Sequence, residues 1–102
     1  MATLEKYASE SDEYDIVLSA LLLPGETISS VTSLTGTGIT VGTATIIDTA
    51  VYYDDGSVVA SHEAIRARIS AGTGGTTYTI RGTVVTSSAN TKIFDVKMKV
   101  LA

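Results

Sequence analysis

The end of the chain carries the pattern that most restricts the fold. Between positions 94 and 100 every even residue is apolar and every odd residue is charged. Successive side chains of a strand point to opposite faces, so this alternation places one face on a core and the other in solvent. A helix would scatter the same residues around its surface. We therefore predict a half-buried β-strand with Phe94, Val96, Met98 and Val100 facing inward and Asp95, Lys97 and Lys99 facing outward.

Most of the remaining chain repeats this pattern in shorter runs separated by turn residues. Threonine and serine together make up about a quarter of the 102 residues, and threonine favours extended backbone. Turn signals recur about every eight to twelve residues, which is typical of sandwiches and barrels. We predict an all-β fold, an immunoglobulin-like two-sheet antiparallel sandwich of about seven strands. Apart from the stretch 60–71, which fits two patterns, the predicted strands lie at 14–22, 27–34, 39–41, 45–53, 58–59, 77–84 and 94–100.

Three turns punctuate these strands. Pro24 presets φ and Gly25 tolerates a positive φ, so Pro24-Gly25-Glu26 predicts a tight turn. Asp54-Asp55-Gly56 predicts a hairpin that pairs 51–53 with 58–59. Gly75 ends a flexible connection, and Tyr78 then enters a strand as a tyrosine corner would, with its hydroxyl bonded back to the loop backbone.

Residues 60–71 fit two patterns. The stretch from His62 to Ile69 contains good helix formers, with Ile65 and Ile69 four positions apart. The same stretch alternates as a strand. Every neighbouring segment is predicted to be β, and local consistency favours foldable sequences, so we predict a strand, with a helix as the alternative.

Composition excludes several classes of function. The net charge is −4 and the seven basic residues are scattered, so we expect no nucleic-acid partner. The longest apolar run, 16–23, is far shorter than the roughly 20 residues of a membrane span, so we expect no membrane partner. The acidic N-terminus is unlike a signal peptide. Cysteine is absent, so disulfides and thiolate metal sites are excluded.

Motifs for catalysis are also missing from the sequence. The chain has one histidine, His62, and a zinc protease needs a second one four residues later. The glycine-rich stretches 36–38 and 72–75 precede strands rather than the helix that a phosphate loop requires. Asp48, Asp54 and Asp55 could offer oxygens to Ca²⁺, but a turn is the simpler interpretation. We expect no enzyme activity, no cofactor and no metal.

The first thirteen residues differ from the rest of the chain. They are polar, carry four acidic groups, and have Leu4 and Tyr7 as their only large apolar residues. We predict an N-terminal arm at 1–13, ordered only where a partner or the domain edge holds it, and a sandwich domain at 14–102. The candidate interface residues in the arm are Leu4, Tyr7, Asp12 and Glu13.

Two stretches of the chain carry a family resemblance. The first, 6–40, contains Asp12-Glu13-Tyr14-Asp15-Ile16 and Pro24-Gly25-Glu26-Thr27-Ile28. The second, 69–100, contains the glycine-rich corner 72–75, Tyr78-Thr79-Ile80, a Thr-rich hairpin and the terminal alternating strand. In this order they resemble the fiber-tail adaptors of tailed bacteriophages, which have an immunoglobulin-like fold. Residues 42–64 match least.

The resemblance implies a structural virion protein rather than an enzyme. Its expected role is to connect neck or tail to fibers or neighbouring subunits, in multiple copies arranged as a ring. Its expected partners are other virion proteins, and it would be made in the cytoplasm of the host bacterium. An alternative is a capsid decoration or a module that adheres to host-surface glycans. Such a module needs an exposed aromatic ring, and one of Tyr52 and Tyr53 is expected to be exposed because they point to opposite faces.

Overall fold

The computed structural model describes residues 3–53 and 56–101, with no side-chain description for Thr3. Ten strands and one 3₁₀ turn, Ser19–Leu21, make up its regular structure. Four of the strands have only two residues each, so the count exceeds the seven expected. In chain order the strands are β1 (Thr3–Tyr7), β2 (Asp12–Val17), β3 (Ile28–Gly36), β4 (Thr40–Val41), β5 (Thr45–Ile46), β6 (Val51–Tyr52), β7 (Val58–Val59), β8 (Ala64–Ser70), β9 (Thr77–Thr86) and β10 (Thr91–Leu101).

Two sheets enclose one apolar core. One sheet has the order β1-β10-β9-β3, and the other has the order β2-β8-β4, with β5 also paired to β8. Residues from both sheets form a single buried cluster. The all-β sandwich prediction is therefore confirmed; the immunoglobulin-like subtype remains a prediction.

The alternation of the last strand appears in the structure as predicted. Phe94, Val96, Met98 and Val100 are buried, while Asp95, Lys97 and Lys99 are exposed. The partner strand β9 buries Ile80 and Val84 in the same core. Burial of the apolar face of β10 stabilises the fold at roughly 25 cal/mol per Å² of apolar surface.

The ambiguous stretch 60–71 forms strand β8 at Ala64–Ser70, which confirms the strand prediction. Ile65, Ala67 and Ile69 face the core. Strand β8 pairs with β2 on one side and with β4 and β5 on the other, so its neighbours supply the main-chain hydrogen bonds that a helix would have made internally.

Two details of the predicted strands are wrong. The strand expected at 14–22 ends at Val17, and a 3₁₀ turn follows, because Leu18 is buried with φ −110° and ψ 8° and turns the chain off the sheet. The strand expected at 45–53 exists only as β5 and β6, with residues 47–50 between them outside any strand.

The sandwich is not wholly antiparallel, since β1 runs parallel to β10. A third, two-stranded sheet is the predicted hairpin of β6 and β7. Its turn residues Asp54 and Asp55 lie outside the described residues. The hairpin packs Val51, Tyr53 and Val59 against Ile47 and Ala64, a small second apolar cluster. No helix in the described part of the chain is long and apolar enough to cross a membrane.

Candidate interaction surface

One side of the sandwich is built by residues 3–17, and we call it the N-terminal side. Strand β1 is an edge strand of the first sheet, and β2 is an edge strand of the second. The chain passes from one sheet to the other through residues 8–11. The predicted arm 1–13 is therefore joined to both sheets where it is described, and both edges lie next to each other on one side of the molecule.

Strand β1 is fixed by a buried lysine. Lys6 is only 1% exposed, and its Nζ donates to the carbonyl oxygens of Tyr7 at 2.7 Å, Ala8 at 3.4 Å and Ala71 at 2.7 Å. A buried ammonium is costly unless hydrogen-bonded, and three carbonyls meet that need here. These contacts tie β1 to the loop that follows β8.

The candidate interface residues on β1 have different surroundings. Leu4 is half-buried and packs against the core, so it anchors the strand. Tyr7 is 56% exposed. The main chain of Tyr7 is already engaged, because its N–H donates to Glu10 Oε1 at 2.6 Å and its carbonyl accepts the Glu10 N–H at 3.0 Å.

Strand β2 presents an edge with outward-pointing main-chain groups. It pairs with β8 without a register shift, from Asp12 opposite Ile69 to Val17 opposite Ala64. Leu18 continues the ladder by donating its N–H to the Glu63 carbonyl at 2.9 Å. Inward and outward groups alternate in an antiparallel pair, so the N–H and C=O groups of Glu13, Asp15 and Val17 point away from β8.

Carboxylates line this edge. Asp12 and Glu13 are exposed, and Asp12 Oδ1 accepts the N–H of Glu13 at 2.7 Å. Burial raises the pKa of the Tyr14 hydroxyl, and the charges of Glu10 and Asp12 raise it further. The carboxylates of Glu10 and Asp12 therefore lie close enough to act on the Tyr14 hydroxyl.

The charge of Asp15 is compensated by an ion pair within the molecule. It lies opposite Arg66 on β8, and the guanidinium Nε donates to Asp15 Oδ1 at 2.6 Å and Nη2 to Oδ2 at 3.1 Å. Hydrogen bonding and charge from Asp15 raise the pKa of Arg66. Tyr53 also donates its hydroxyl to Asp15 Oδ2, at 3.4 Å, which attaches the β6–β7 hairpin to this side.

The opposite side of the sandwich is formed by β3, β4 and β5. Strand β3 pairs with β9 with register shifts between Ile28 and Ser30 and between Val31 and Ser33. A groove of about 320 Å³ runs between β3 and the segment 41–44. Its lining is mixed, with threonine and serine beside Val31, Leu34 and Val41.

The predicted turn at Pro24 and Gly25 holds a buried carboxylate that the sequence reasoning missed. The Glu26 N–H donates to the Leu23 carbonyl at 2.9 Å, and Gly25 has φ +79°. The Glu26 side chain is buried and accepts from Thr86 Oγ1 at 2.6 Å, Asn90 Nδ2 at 2.9 Å and the Leu23 N–H at 3.0 Å. Together these bonds clamp the turn to the β9–β10 hairpin.

The hydrogen bonds to Glu26 lower the pKa of its carboxyl to about 2, with the Thr86 hydroxyl as the largest cause and the Leu23 N–H next. One signal in the sequence marks this residue: Glu26 is the only charged residue between positions 16 and 47. A lone charge in such a segment is a candidate for a buried structural role.

At Tyr78, the hydroxyl accepts the Thr73 N–H at 2.8 Å. Bonds from Thr73 lower the pKa of the Tyr78 hydroxyl. The ring passes close to two glycines, since a Cβ on Gly38 would lie 2.9 Å from Tyr78 Cε1 and one on Gly72 would lie 3.2 Å from Cε2. Gly75 has φ +83° and donates its N–H to the Val100 carbonyl at 2.7 Å.

The remaining candidates occupy turns and surfaces. His62 is exposed, has φ 63°, and its main chain bonds to Ile28 and Ile47. Asp48 is exposed, whereas Asp54 and Asp55 lie outside the described residues. Within 3–53 and 56–101 no group of three or more metal-ligating side chains occurs. Tyr52 on β6 is 77% exposed, opposite Val58, while Tyr53, which follows the strand, is half-buried. One ring of the pair is therefore exposed, as predicted.

Comparison with known proteins identifies a family. A family model described as podophage GP4 fiber-tail adaptor protein gp77 matches residues 6–99. The match covers the N-terminal side from Lys6 onward and extends into β10. No curated protein and no solved structure matches the chain.

Proposed function

This chain belongs to the podophage fiber-tail adaptor family, and from that membership we propose that it connects the neck or tail of the particle to fibers or to neighbouring subunits. The family is structural, so the chain is a virion component whose partners are other tail and fiber proteins. The suspected resemblance to fiber-tail adaptors is confirmed. The connector position, the ring and synthesis in the bacterial cytoplasm are part of the proposal.

The observation that carries the proposal is that both sides of this small sandwich end in sheet edges. The N-terminal side ends in β1 and β2, and the opposite side ends in β3, β4 and β5. An open sheet edge can bind an extended segment of another chain through main-chain hydrogen bonds, and a protected edge still presents its side chains to a partner. One rigid domain can therefore contact two proteins on opposite sides, as a connector must.

The interface residues Tyr7, Asp12 and Glu13 belong to this proposal, with Leu4 supporting β1 from within. Several copies in a ring would present the same edge repeatedly, so that weak individual contacts add up to firm attachment. Hydroxyl-rich strand faces limit self-association of the free subunit before assembly.

The proposal is tested by disabling the gene in the phage and supplying the protein from a plasmid. Particles made without the protein should have filled heads but lack fibers, and the plasmid copy should restore both fibers and infectivity. Fibers present in normal number on particles without the protein would refute the connector role. Mass spectrometry of restored particles, relative to a tail protein of known copy number, would test the ring.

A second candidate function rests on the exposed ring of Tyr52. An aromatic face that is 77% exposed beside Val58 offers a place for a sugar ring to stack, as an adhesion module requires. A glycan array on the purified protein tests this function, with Tyr52→Ala as the matched variant. Glycan binding by the wild type that disappears in Tyr52→Ala would support adhesion. Equal signals from the two proteins would refute it.

A further inference from the structure

We infer that the outer edge of β2 binds an extended, basic segment of another virion protein, which joins the second sheet as an added strand. This inference rests on the proposed function and names the chemistry of one partner.

Three of the edges are blunted by the chain itself. Strand β1 has its last residue, Tyr7, bonded to Glu10 through both N–H and C=O. Strand β3 has two register shifts, which distort an edge and hinder pairing. Strands β4 and β5 have two residues each and are separated by residues 42–44. Short, bulged or capped edges are the usual protection against an added strand.

Strand β2 is neither short nor bulged. It is six residues long and in unbroken register with β8. The N–H groups of Asp15 and Val17 and the C=O groups of Glu13, Asp15 and Val17 point outward. The N–H of Glu13 is covered by Asp12 at the beginning of the strand. A partner strand thus meets outward donors and acceptors at alternate positions.

Charge decides which segment fits. Positions 10–15 hold four carboxylates, and β8 opposes them with two guanidiniums, which leaves a net charge of −2. Arg66 forms an ion pair with Asp15, and Arg68 Nη1 donates to the Ser11 carbonyl at 3.1 Å. A second copy of β2 would bring like charges together, which is unfavourable across a strand pair. An extended segment with Lys or Arg at alternate positions is attracted instead.

Proline at position 17 tests the main-chain pairing. The Val17 N–H points away from β8, so Val17→Pro removes a donor from the outer edge while leaving the ladder to β8 intact; edge strands tolerate proline at such positions. Val17→Thr is the matched control, because it keeps both the N–H and the β-branched side chain. Each variant is supplied to phage lacking its own copy, and its amount in purified particles is measured by mass spectrometry.

We expect Val17→Pro to be incorporated at least about tenfold less than Val17→Thr, with both purified proteins folded by circular dichroism. Glu13→Lys should also lower incorporation, whereas Asp48→Lys, at an exposed carboxylate outside the strands, should not. Equal incorporation of folded Val17→Pro and Val17→Thr would overturn the inference.

A photo-crosslinking amino acid decides the matter if Val17→Pro does not fold. Placed at position 13, it should crosslink in particles to a segment of another virion protein with alternate Lys or Arg residues. Placed at position 32 on β3, it serves as the control. A crosslink from position 13 to a second copy, to an acidic segment, or to nothing would overturn the inference. Absence of the wild-type protein from particles would instead overturn the proposed function.

Discussion

At the scale of single residues, the structure depends on a few polar side chains that are fully bonded inside it. Glu26 and Lys6 are 3% and 1% exposed, and each makes three hydrogen bonds. Each joins segments far apart in the chain: the Pro24 turn to the β9–β10 hairpin, and β1 to the loop after β8. Truncation of either would leave buried partners unpaired, which costs more than the net contribution of the bonds themselves.

Glu26 makes stability depend on pH. Its pKa in the folded protein is about 2, below its ordinary value of 4.5, because three donors favour the charged form. The carboxylate therefore contributes stability above pH 4.5 and loses that contribution as the pH falls toward 2. We expect Glu26→Gln to be less stable than the wild type at pH 7.

Glu26→Gln should also have a flatter dependence of unfolding free energy on pH between 4.5 and 2. Urea denaturation at a series of pH values measures both effects. Glu5→Gln, an exposed carboxylate on β1, is the control and should change neither. Parallel curves for wild type and Glu26→Gln over this range would contradict the lowered pKa of Glu26.

Tyr78 offers a second test at this scale. Tyr78→Phe keeps the ring between Gly38 and Gly72 and removes only the acceptor for the Thr73 N–H. We expect a loss of about 1 kcal/mol in the free energy of unfolding, measured by denaturant titration. Tyr52→Phe, at an exposed position, should unfold at the wild-type midpoint. If Tyr78→Phe also unfolds at that midpoint, the hydroxyl bond does not contribute to stability.

At the scale of elements, the central pair β9 and β10 is packed around a glycine. Gly82 lies opposite Phe94, and a Cβ at Gly82 would collide with the Phe94 ring and lie 2.9 Å from Leu34 Cδ1. The Phe94 ring packs against the main chain of β9 at Gly82, where no side chain is present. Strand propensity alone would favour alanine here, so packing and propensity make opposite predictions for this position.

We expect Gly82→Ala to destabilise the fold by about 1–3 kcal/mol, because packing outweighs propensity in a filled core. Phe94→Leu in the same chain should recover part of this loss, giving a coupling energy between neighbours in a double-mutant cycle. Chemical denaturation of the four proteins measures the cycle. A Gly82→Ala protein more stable than the wild type would show that the Phe94 ring moves aside at little cost and that propensity outweighs packing at this position.

How much of each element the sequence revealed depends on the strength of its local pattern. Long alternation revealed the face of β10, and the turn residues of the β6–β7 hairpin revealed its position. The apolar residues after Val17 imitate a continuing strand, because the buried Leu18 and the half-buried Leu21 and Leu22 contact the core from a 3₁₀ turn. Strand β1 left no signal, since its inward face carries Lys6, a residue expected in solvent.

The candidate interface residues are predicted from the composition of their segment and not from its geometry. Charge points to Asp12 and Glu13, and the apolar ring points to Tyr7. The roles of Leu4 as an anchor and of β2 as an unbulged edge follow from pairing between residues more than fifty positions apart, such as Asp12 with Ile69. Local patterns carry no information about such pairing. The isolation of Glu26 among uncharged residues marks it as unusual, but its partners Thr86 and Asn90 lie sixty or more positions away and leave no local signal.

At the scale of the whole molecule, family membership and fold support one account. The chain is a fiber-tail adaptor of the podophage family, matched over 6–99, and its two sheets place edges on opposite sides of one small domain. In the proposed role, the domain assembles with other virion proteins through these edges. The central claim is therefore the position of the protein in the particle.

Gold-labelled antibodies on purified particles, examined by electron microscopy and combined with mass spectrometry of the same particles, test that claim most directly. The account predicts that the protein is present and that gold collects at the neck or tail, where fibers attach. Gold scattered over the head, or absence of the protein from every particle, would contradict it.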